Sequence, residues 1–388
     1  MQKKIIALAI AGLASSAAFA QTNVQIYGIL DAGLAYAGNT QGRGSFVNQN
    51  GILAGNRLGF KGTEDLGNGL KAVFTLEQGF NLNDGSQASA TNGAFQRQAW
   101  VGLAGGFGTV TLGRQYAPGY AAFLANDALA GALLSASMTL NQAAQFTIAG
   151  NSNARWNNSV KYVSPTVAGF TGEAIYRFGE ASNDMASNEG YGLGLNYKGG
   201  PVNVNYVYQH TDGSAQGTVE GLTAVQWVAS TPATGAIIDE HYVGATFDAG
   251  FAKFMGSYNW AQTTGRSGSG MQNAQMFVLG TIVPAGKVNL HANYALLDLD
   301  GNNRRANAAS GQAQSFGFAV TYPMSKRTVL YAGANYTDLP RNYASLGYTG
   351  AQANGASSVA ALNNQNAANL INGGGDGVTA GFGINHSF

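Results

Sequence analysis

Residues 70–80 of the chain, LKAVFTLEQGF, alternate between apolar and polar side chains. Successive side chains of a β-strand point to opposite faces, so this alternation predicts a strand with one apolar face and one face in water. A soluble β-sandwich would alternate in the same way, and one segment therefore does not decide between a sandwich and a barrel. The apolar positions are Leu70, Ala72, Phe74, Leu76 and Phe80, and the polar positions are Lys71, Thr75 and Glu77.

Alternating segments of this kind recur along the whole chain, each with a length of about ten residues, as expected for barrel strands. An even number of strands is typical of a single-chain barrel. The sequence therefore predicts an all-β fold, a transmembrane antiparallel β-barrel of 16 strands. The predicted strands are 23–36, 55–63, 68–80, 94–104, 107–115, 156–164, 169–178, 190–198, 201–210, 239–248, 251–262, 271–282, 287–297, 312–322, 328–338 and 377–388.

The connections between these segments alternate in length, which a sandwich has no reason to produce. Short periplasmic turns and long outer loops are typical of outer-membrane barrels. The short connections are 64–67, 105–106, 199–200 and 249–250, and the long ones, which are polar and rich in Gly, Asn, Ala and Ser, are 37–54, 116–154, 211–238 and 339–376.

The composition also favours a membrane barrel. Charged residues make up 10% of the chain, against about 25% in an ordinary soluble domain, and there are 56 glycines. Beyond the N-terminal segment we find no continuous apolar run long enough for a membrane helix, and a closed barrel is the other structure that pairs every backbone group within lipid. The chain contains no cysteine, which excludes disulfides and thiolate chemistry.

The N-terminus predicts a cleaved secretory signal peptide. Lys3 and Lys4 precede an apolar run over 5–13 and a small-residue site at 18–20. The alternative, a membrane anchor, would need about 20 apolar residues. We therefore expect a signal peptide at 1–20 and an exported barrel domain at 21–388. Without Lys3 and Lys4 the chain has 18 basic and 19 acidic residues, a formal charge of −1, which gives no general attraction to nucleic acid.

The C-terminal segment 377–388 ends on an aromatic residue. Val378, Ala380, Phe382 and Ile384 share one parity with the final Phe388. Such an ending resembles the sorting signal of outer-membrane barrels, and we expect Phe388 to be recognised by the outer-membrane assembly machinery. Any buried last strand could also end in Phe, so the signal gains weight only beside the other features.

Five stretches carry a closer resemblance: 24–31 (VQIYGILD), 57–72 (RLGFKGTEDLGNGLKA), 97–103 (RQAWVGL), 108–115 (GTVTLGRQ) and 157–165 (NNSVKYVSP). In this order they resemble the general porins of Neisseria and the beta-proteobacteria, of the Burkholderia and Comamonas type. The resemblance implies sixteen strands, a homotrimer and a third outer loop folded into each pore. The chain departs from the pattern at its last four residues, where we would expect a base beside the final aromatic.

The resemblance implies an outer-membrane general diffusion porin that passes small hydrophilic solutes and ions. Selectivity in such a pore depends on the width and charge of its narrowest point. The loop 116–154 is expected to form that constriction, and it carries one acid, Asp127, and no base. Alternation predicts that Arg57, Lys61, Arg97 and Arg155 face water, with Arg114 at a strand end. In the resembling family an arginine cluster lines the constriction, and Arg57, Arg97 and Arg155 occupy the matching positions.

This arrangement predicts a preference for anions, because guanidinium stays protonated at physiological pH and binds carboxylate and phosphate oxygens. The plainer alternative is that these bases face the lumen only because a lipid-facing base costs about 2–4 kcal/mol. Glu77 and Asp127, with Asp31, could supply a transverse field or could be ordinary lumen residues. Three loop aromatics could form a track for sugars or could simply pack the loop. They are Tyr116, Tyr120 and Phe123.

Other function classes find little support. The four histidines, His210, His241, His291 and His386, lack catalytic or metal-ligand spacing, so we expect neither an enzyme nor a cofactor. Two alternatives to general diffusion remain open: a substrate-specific channel for sugars or organic acids, and an adhesin or receptor barrel that binds through its loops. The expected partners are other copies of the chain, outer-membrane lipid with lipopolysaccharide, and small anionic solutes.

Overall fold

The computed structural model describes residues 23–39, 44–88, 93–144, 146–148, 154–179, 189–212, 218–219, 222–223, 236–265, 271–300, 311–338 and 377–388. These residues form one large antiparallel sheet, a two-stranded pair and two helices. The strands are β1 (Asn23–Asn39), β2 (Gly44–Asn50), β3 (Arg57–Gly67), β4 (Leu70–Gly79), β5 (Gln98–Gly105), β6 (Gly108–Tyr116), β7 (Arg155–Val163), β8 (Phe170–Arg177), β9 (Gly190–Gly199), β10 (Val202–Asp212), β11 (Thr218–Val219), β12 (Leu222–Thr223), β13 (Ala236–Asp248), β14 (Lys253–Gly265), β15 (Met271–Ala285), β16 (Val288–Asp300), β17 (Gly311–Pro323), β18 (Thr328–Asp338) and β19 (Gly377–Ser387), and the helices α1 (Pro118–Ala125) and α2 (Ala136–Ala144) lie between β6 and β7.

The large sheet closes on itself because its first and last strands pair. β1 pairs with β19 in antiparallel register from Ile29↔Ser387 to Asn39↔Gly377. On its other side β1 pairs with β2 through its second half and with β3 through its first half. β2 and β3 therefore act as one interrupted wall strand, and β11 and β12 pair only with each other. The result is the 16-stranded closed barrel that the sequence predicts.

The interrupted second strand corrects one sequence prediction. We expected 37–54 to be a loop, but part of it is β2, whose residues 44–50 pair with Ala32–Gly38. The sequence GSFVNQN is mostly polar and small, so it lacks the alternation that marks the other strands. β2 can pair with β1 because residues 32–38 of β1 lie beyond residues 23–29, the part that pairs with β3.

The two faces of the barrel wall differ in the way that the alternation predicts. Large apolar side chains on the outer face remain exposed, for example Val101 and Leu112, which lie opposite each other on β5 and β6. On the inner face, polar side chains such as Thr75 and Glu77 on β4 are buried. An apolar outside and a polar inside are what a barrel needs to stand in lipid around a lumen.

Among the described residues, neither helix is long and apolar enough to cross a membrane.

The end of the chain completes the barrel seam. The amide of Gly28 donates to the carbonyl of Phe388, and the amide of Phe388 donates to the carbonyl of Gly28, each at 3.1 Å. The Phe388 side chain remains exposed. Its role as an assembly signal stays a prediction, and the predicted signal peptide at 1–20 lies outside the described residues.

The turn between β3 and β4 shows why the short connections can be so tight. Gly67, Asn68 and Gly69 all have positive φ, at 87°, 53° and 77°. Glycine enters this region without steric cost and asparagine tolerates it better than most residues, so the Gly-Asn-Gly sequence suits a tight hairpin.

Candidate functional site

The described residues between β6 and β7 lie against the inner face of the barrel wall, where they contact β10, β13 and β16. We call its described part, residues 117–144 and 146–148, the constriction loop. Helix α1 begins with Pro118, where the missing amide proton costs nothing because the first amides of a helix have no partner within it. The side-chain oxygen of Gln209 on β10 accepts from the Gly119 amide at 2.9 Å, which ties α1 to the wall.

A buried carboxylate on the wall holds the far end of the constriction loop. Glu240 on β13 accepts from the Thr147 amide at 2.7 Å, the Thr147 hydroxyl at 2.6 Å and the Ile148 amide at 3.2 Å. The side-chain amide of Asn259 donates to its other oxygen at 2.8 Å. A carboxylate that accepts several hydrogen bonds is a strong anchor, because bonds to a charged group are about twice as strong as neutral ones.

The middle of the loop is held by Asn293 on β16. Its side-chain amide nitrogen donates to Asp127 at 2.7 Å and to the Ser135 hydroxyl at 3.0 Å. Asp127 also accepts from two loop amides, those of Leu129 and Gly131, and both bonds close the turn after α1. The one acid of the loop therefore has its oxygens occupied by donors of the protein.

The wall opposite the loop carries three arginines, of which two are linked through a phenol. Arg97 pairs with Glu77 through its Nε at 2.6 Å, and its other end donates to the Tyr116 hydroxyl at 3.0 Å. Arg155 donates to the same hydroxyl at 2.9 Å. Tyr27 donates to the second oxygen of Glu77 at 2.8 Å. One carboxylate and one phenol thus hold two guanidinium groups in place.

The third arginine of this wall, Arg57, is more loosely held. Its Nε donates to the Gly55 carbonyl at 3.0 Å. Within the described part of the chain, no carboxylate lies within salt-bridge distance of Arg57 or of Arg155. No described carboxylate therefore neutralises the charge of these two arginines through an ion pair.

Two tyrosines form a stacked pair beside the arginines. The rings of Tyr116 and Tyr120 lie 4.2 Å apart with an angle of 7° between their planes. The guanidinium of Arg155 lies over both rings, 4.7 Å from the centre of the Tyr116 ring and 5.8 Å from that of Tyr120. Burial raises the pKa of the Tyr120 phenol, with Tyr116 adding to the rise, so Tyr120 stays neutral at physiological pH. Phe123 instead packs in a buried cluster between the loop and the wall, where it meets Val207 and Tyr242.

We call the side of the barrel that carries Arg57, Arg97, Arg155 and Glu77 the arginine wall. This wall and the constriction loop line a cavity of about 700 Å³, which we call the constriction cavity. The predicted site residues Arg57, Glu77, Arg97, Asp127 and Arg155 all line it. Charged side chains of the wall and the acid of the loop therefore meet in this one cavity.

Two predicted site residues lie elsewhere. Lys61 is exposed on β3, with its Nζ 5.2 Å from the centre of the Tyr27 ring, and it does not line the constriction cavity. Arg114 shares the parity of the exposed Leu112, and its guanidinium binds the Gln96 carbonyl and the Asn157 side chain. Its parity therefore places it towards the outer face, and its position at a strand end does not bring it to the constriction cavity.

The sequence reasoning also missed two basic residues. Lys253 at the start of β14 and His291 on β16 line the constriction cavity from the far side of the barrel. His291 contacts the Ala128 carbonyl through Nδ1 at 2.8 Å and the Thr321 hydroxyl through Nε2 at 2.9 Å. Lone bases on separate strands give no local pattern, so only the closed barrel brings them together.

Asp31, which we considered as a possible field-forming acid, has a structural position. Its oxygens accept from the amides of Ile52 and Ala54 and from the side chains of Tyr331 and Asn385. It is fully buried and does not line the constriction cavity. Asp31 therefore anchors the break between β2 and β3 to the barrel seam.

Comparison with known proteins places this geometry in context. The sequence profile of the Gram-negative porin family matches residues 7–342. Outer membrane porin protein 32 of Delftia acidovorans is 31% identical over 336 residues, which cover 85% of this chain and 88% of that protein.

Solved structures agree with the barrel. An anion-selective porin from Comamonas acidovorans is 25% identical, with a TM-score of 0.73, and the match covers 95% of this chain and 100% of the other. The fold of an outer-membrane protein of Vibrio cholerae, solved in a trimer form, is also similar, with a TM-score of 0.62 at 16% identity over 95% of this chain and 99% of the other.

Proposed function

The chain belongs to the Gram-negative porin family, and on that premise we propose that its pore prefers small anions, with Arg57, Arg97 and Arg155 as the selecting groups. The protein is an outer-membrane porin, a passive channel and not an enzyme. Its task is diffusion through a water-filled lumen, so the groups that decide its function are those at the narrowest point.

The observation that carries the proposal is the charge balance of the constriction cavity. Three guanidinium groups and one carboxylate, Glu77, lie on the arginine wall. The carboxylate of Asp127 on the loop accepts hydrogen bonds from Asn293 and from loop amides. Lys253 adds a further positive charge on the far side. A solute that enters this cavity therefore meets a positive field with the donor groups of arginine directed at it.

The expected strength of this selection can be estimated. A net unit charge about 7 Å from an ion contributes about 0.6 kcal/mol in water, and screening at 0.1 M salt halves this to about 0.3 kcal/mol. The anion gains this energy and the cation loses it, so each net charge multiplies the anion-to-cation permeability ratio by about three. The arginine wall, with two net charges, gives a ratio on the order of ten.

The proposal is tested with the purified protein in planar bilayers, where Arg57, Arg97 and Arg155 are replaced together by Gln. We expect the wild type to prefer chloride over potassium and the triple variant to lose that preference while it still conducts. Unchanged anion preference in the triple variant would contradict the assignment of these three residues. Block by a sugar at low concentration would favour a sugar-specific channel instead.

We further propose that the chain forms a homotrimer, in contact with outer-membrane lipid and lipopolysaccharide. Support comes from the Vibrio cholerae protein of similar fold, which was solved in a trimer form, and from the belt of exposed apolar side chains around the outer face. The protein should run on an unheated detergent gel at three times its monomer mass. A band at monomer mass alone would argue against the trimer.

We also propose that Phe388 serves as the signal for the outer-membrane assembly machinery. Its backbone closes the barrel seam at Gly28, which leaves its side chain exposed for recognition. Deletion of Phe388 should lower the amount of assembled barrel in cells, whereas the detergent-refolded variant should still form a barrel. An unchanged amount of assembled barrel in cells would refute this role.

A further inference from the structure

The lumen of a porin is expected to be polar, yet part of the constriction cavity is apolar. The residues of the constriction loop that face the cavity are nearly all alanine, leucine, glycine and methionine, with Tyr120 and Asp127 as the two exceptions. Leu124 and Leu133 line the cavity and are only partly buried. Leu53, in the segment before β3, also lines the cavity and is also partly buried. These three leucines therefore expose apolar surface to a water-filled space.

This surface is fixed in place by the backbone. The Leu133 amide donates to the Ile52 carbonyl at 2.9 Å, which joins the loop to the segment that carries Leu53. Asp31 accepts from the amides of that segment, including Leu53 at 3.3 Å. Leu129, Ala132 and Leu134 pack behind it in a buried cluster. Backbone hydrogen bonds and buried packing therefore fix the position of this apolar surface in the barrel.

The two surfaces line one cavity. On one side are the guanidinium groups of Arg57 and Arg155, which have no carboxylate partner among the described residues, and the Nε of Arg155 is buried without a hydrogen-bond partner. On the other side are the leucines and alanines of the loop. A solute in this cavity can bind the arginines through an anionic group and cover the leucines through an apolar body.

We infer that the constriction selects among anions, and that it favours organic monoanions with an apolar body, such as aliphatic or aromatic monocarboxylates, over hydroxylated anions of the same charge and size. The inference rests on the proposed anion preference and deepens it. Strongly hydrated polar anions would leave the leucines in contact with water, whereas an alkyl chain removes this apolar surface from water.

The size of the effect follows from the area that a chain can cover. Full burial of one methylene group corresponds to about a fourfold gain in affinity. Because the loop contacts only one side of a solute, we expect about half of that free energy, or about a twofold gain for each methylene.

The experiment measures the block of chloride current through the wild-type pore by acetate, propionate, butyrate and valerate. We expect the concentration for half-block to fall about twofold with each added methylene. Valerate should also block at a concentration several times lower than 4-hydroxybutyrate, which has the same number of chain atoms and the same charge but ends in a hydroxyl.

Variants test where this effect arises. The double variant Leu124→Ser with Leu133→Ser should flatten the chain-length series and keep the preference for chloride over potassium. The matched control is Leu82→Ser, which makes the same change at an exposed leucine outside the constriction cavity and should keep the series intact. The series in the wild type needs no variant and stands even if the double variant fails to assemble.

The outcomes separate the two proposals. An anion-selective pore with no dependence on chain length would overturn the inference and leave the proposed function intact. A pore without preference for chloride would overturn the proposed function and the inference with it. A chain-length dependence that persists unchanged in the double variant would show that the leucines do not cause it, and would also overturn the inference.

Discussion

Replacement of Arg57 by Gln should lower the anion preference without harm to the barrel. Among the described residues the Arg57 side chain has one hydrogen-bond partner, the Gly55 carbonyl, and no ion pair. Loss of the Arg57 guanidinium removes one positive charge from the constriction cavity and leaves the Arg97–Glu77 ion pair intact. The chain-entropy and packing costs are small, because glutamine keeps most of the side-chain volume.

The expected magnitude follows from the charge balance. The arginine wall changes from two net charges to one, and each charge multiplies the anion-to-cation permeability ratio by about three at 0.1 M salt. Arg57→Gln should therefore lower the ratio about threefold. At 1 M salt the Debye length falls to about 3 Å, so the difference between variant and wild type should nearly vanish.

The assay is the reversal potential of single pores in a potassium chloride gradient. Lys61→Gln is the matched control, because it removes the same charge from the same strand at a position outside the constriction cavity. We expect the control to change the ratio much less than Arg57→Gln. Equal shifts in the two variants would show that the total charge of the lumen, and not the constriction, sets selectivity, and would refute the reasoning.

Three further predictions concern carboxylates. Glu77→Gln removes the acid of the arginine wall and should raise the anion-to-cation ratio about threefold, as measured by the same reversal potential; a fall would contradict the assigned field. Glu240→Ala should weaken the attachment of the constriction loop to the wall by about 2 kcal/mol or more, and should raise single-channel conductance and current noise. Glu240→Gln should give an intermediate conductance. Unchanged conductance would show that other contacts hold the loop without Glu240. Asp31→Asn should destabilise the barrel by about 3 kcal/mol in urea, because the Ile52 and Ala54 amides bond to different oxygens and the amide nitrogen that replaces one of them cannot accept. The exposed Asp84→Asn should have little effect, and equal stability of the two variants would contradict the anchor role.

The strands could be predicted from the sequence because each one must present an apolar face to lipid. This requirement imposes a period of two that survives in almost every wall strand, from β4 to β19. β2 was not predicted, because its sequence has no clear alternation although it pairs with residues 32–38 of β1. One cross-strand pair, the rings of Tyr36 and Phe46 at 4.8 Å, supports this pairing, but one such pair gives no alternating pattern in the sequence.

The arginine wall was only partly predictable. Arg57 lies on a strand, where parity gives the direction of a side chain. Arg155 lies beyond the register shift between β6 and β7, so the alternation of the rest of β7 does not give its direction. Arg97 comes one residue before β5 begins at Gln98, and its direction towards Glu77 follows from that ion pair and not from alternation. Arg114 shares the parity of the exposed Leu112, so alternation alone places it towards the outer face and away from the constriction cavity.

The position of the constriction loop depends on contacts that are distant in sequence. Glu240 is 93 residues from Thr147, and Asn293 is 166 residues from Asp127. The polar residues on the inner face look alike in the sequence, so it cannot reveal which of them hold the loop. The apolar side of the constriction cavity was missed for the same reason, because Leu53 and Leu133 meet only in the folded barrel.

The reversal potential of the wild-type pore tests the central claim most directly. In a tenfold gradient of potassium chloride around 0.1 M, a permeability ratio near ten gives about 40 mV towards the chloride Nernst potential. We predict this sign and a value that falls as the salt concentration rises. A potential near zero, or one of the opposite sign, would contradict the conclusion that the arginines of the constriction cavity select anions.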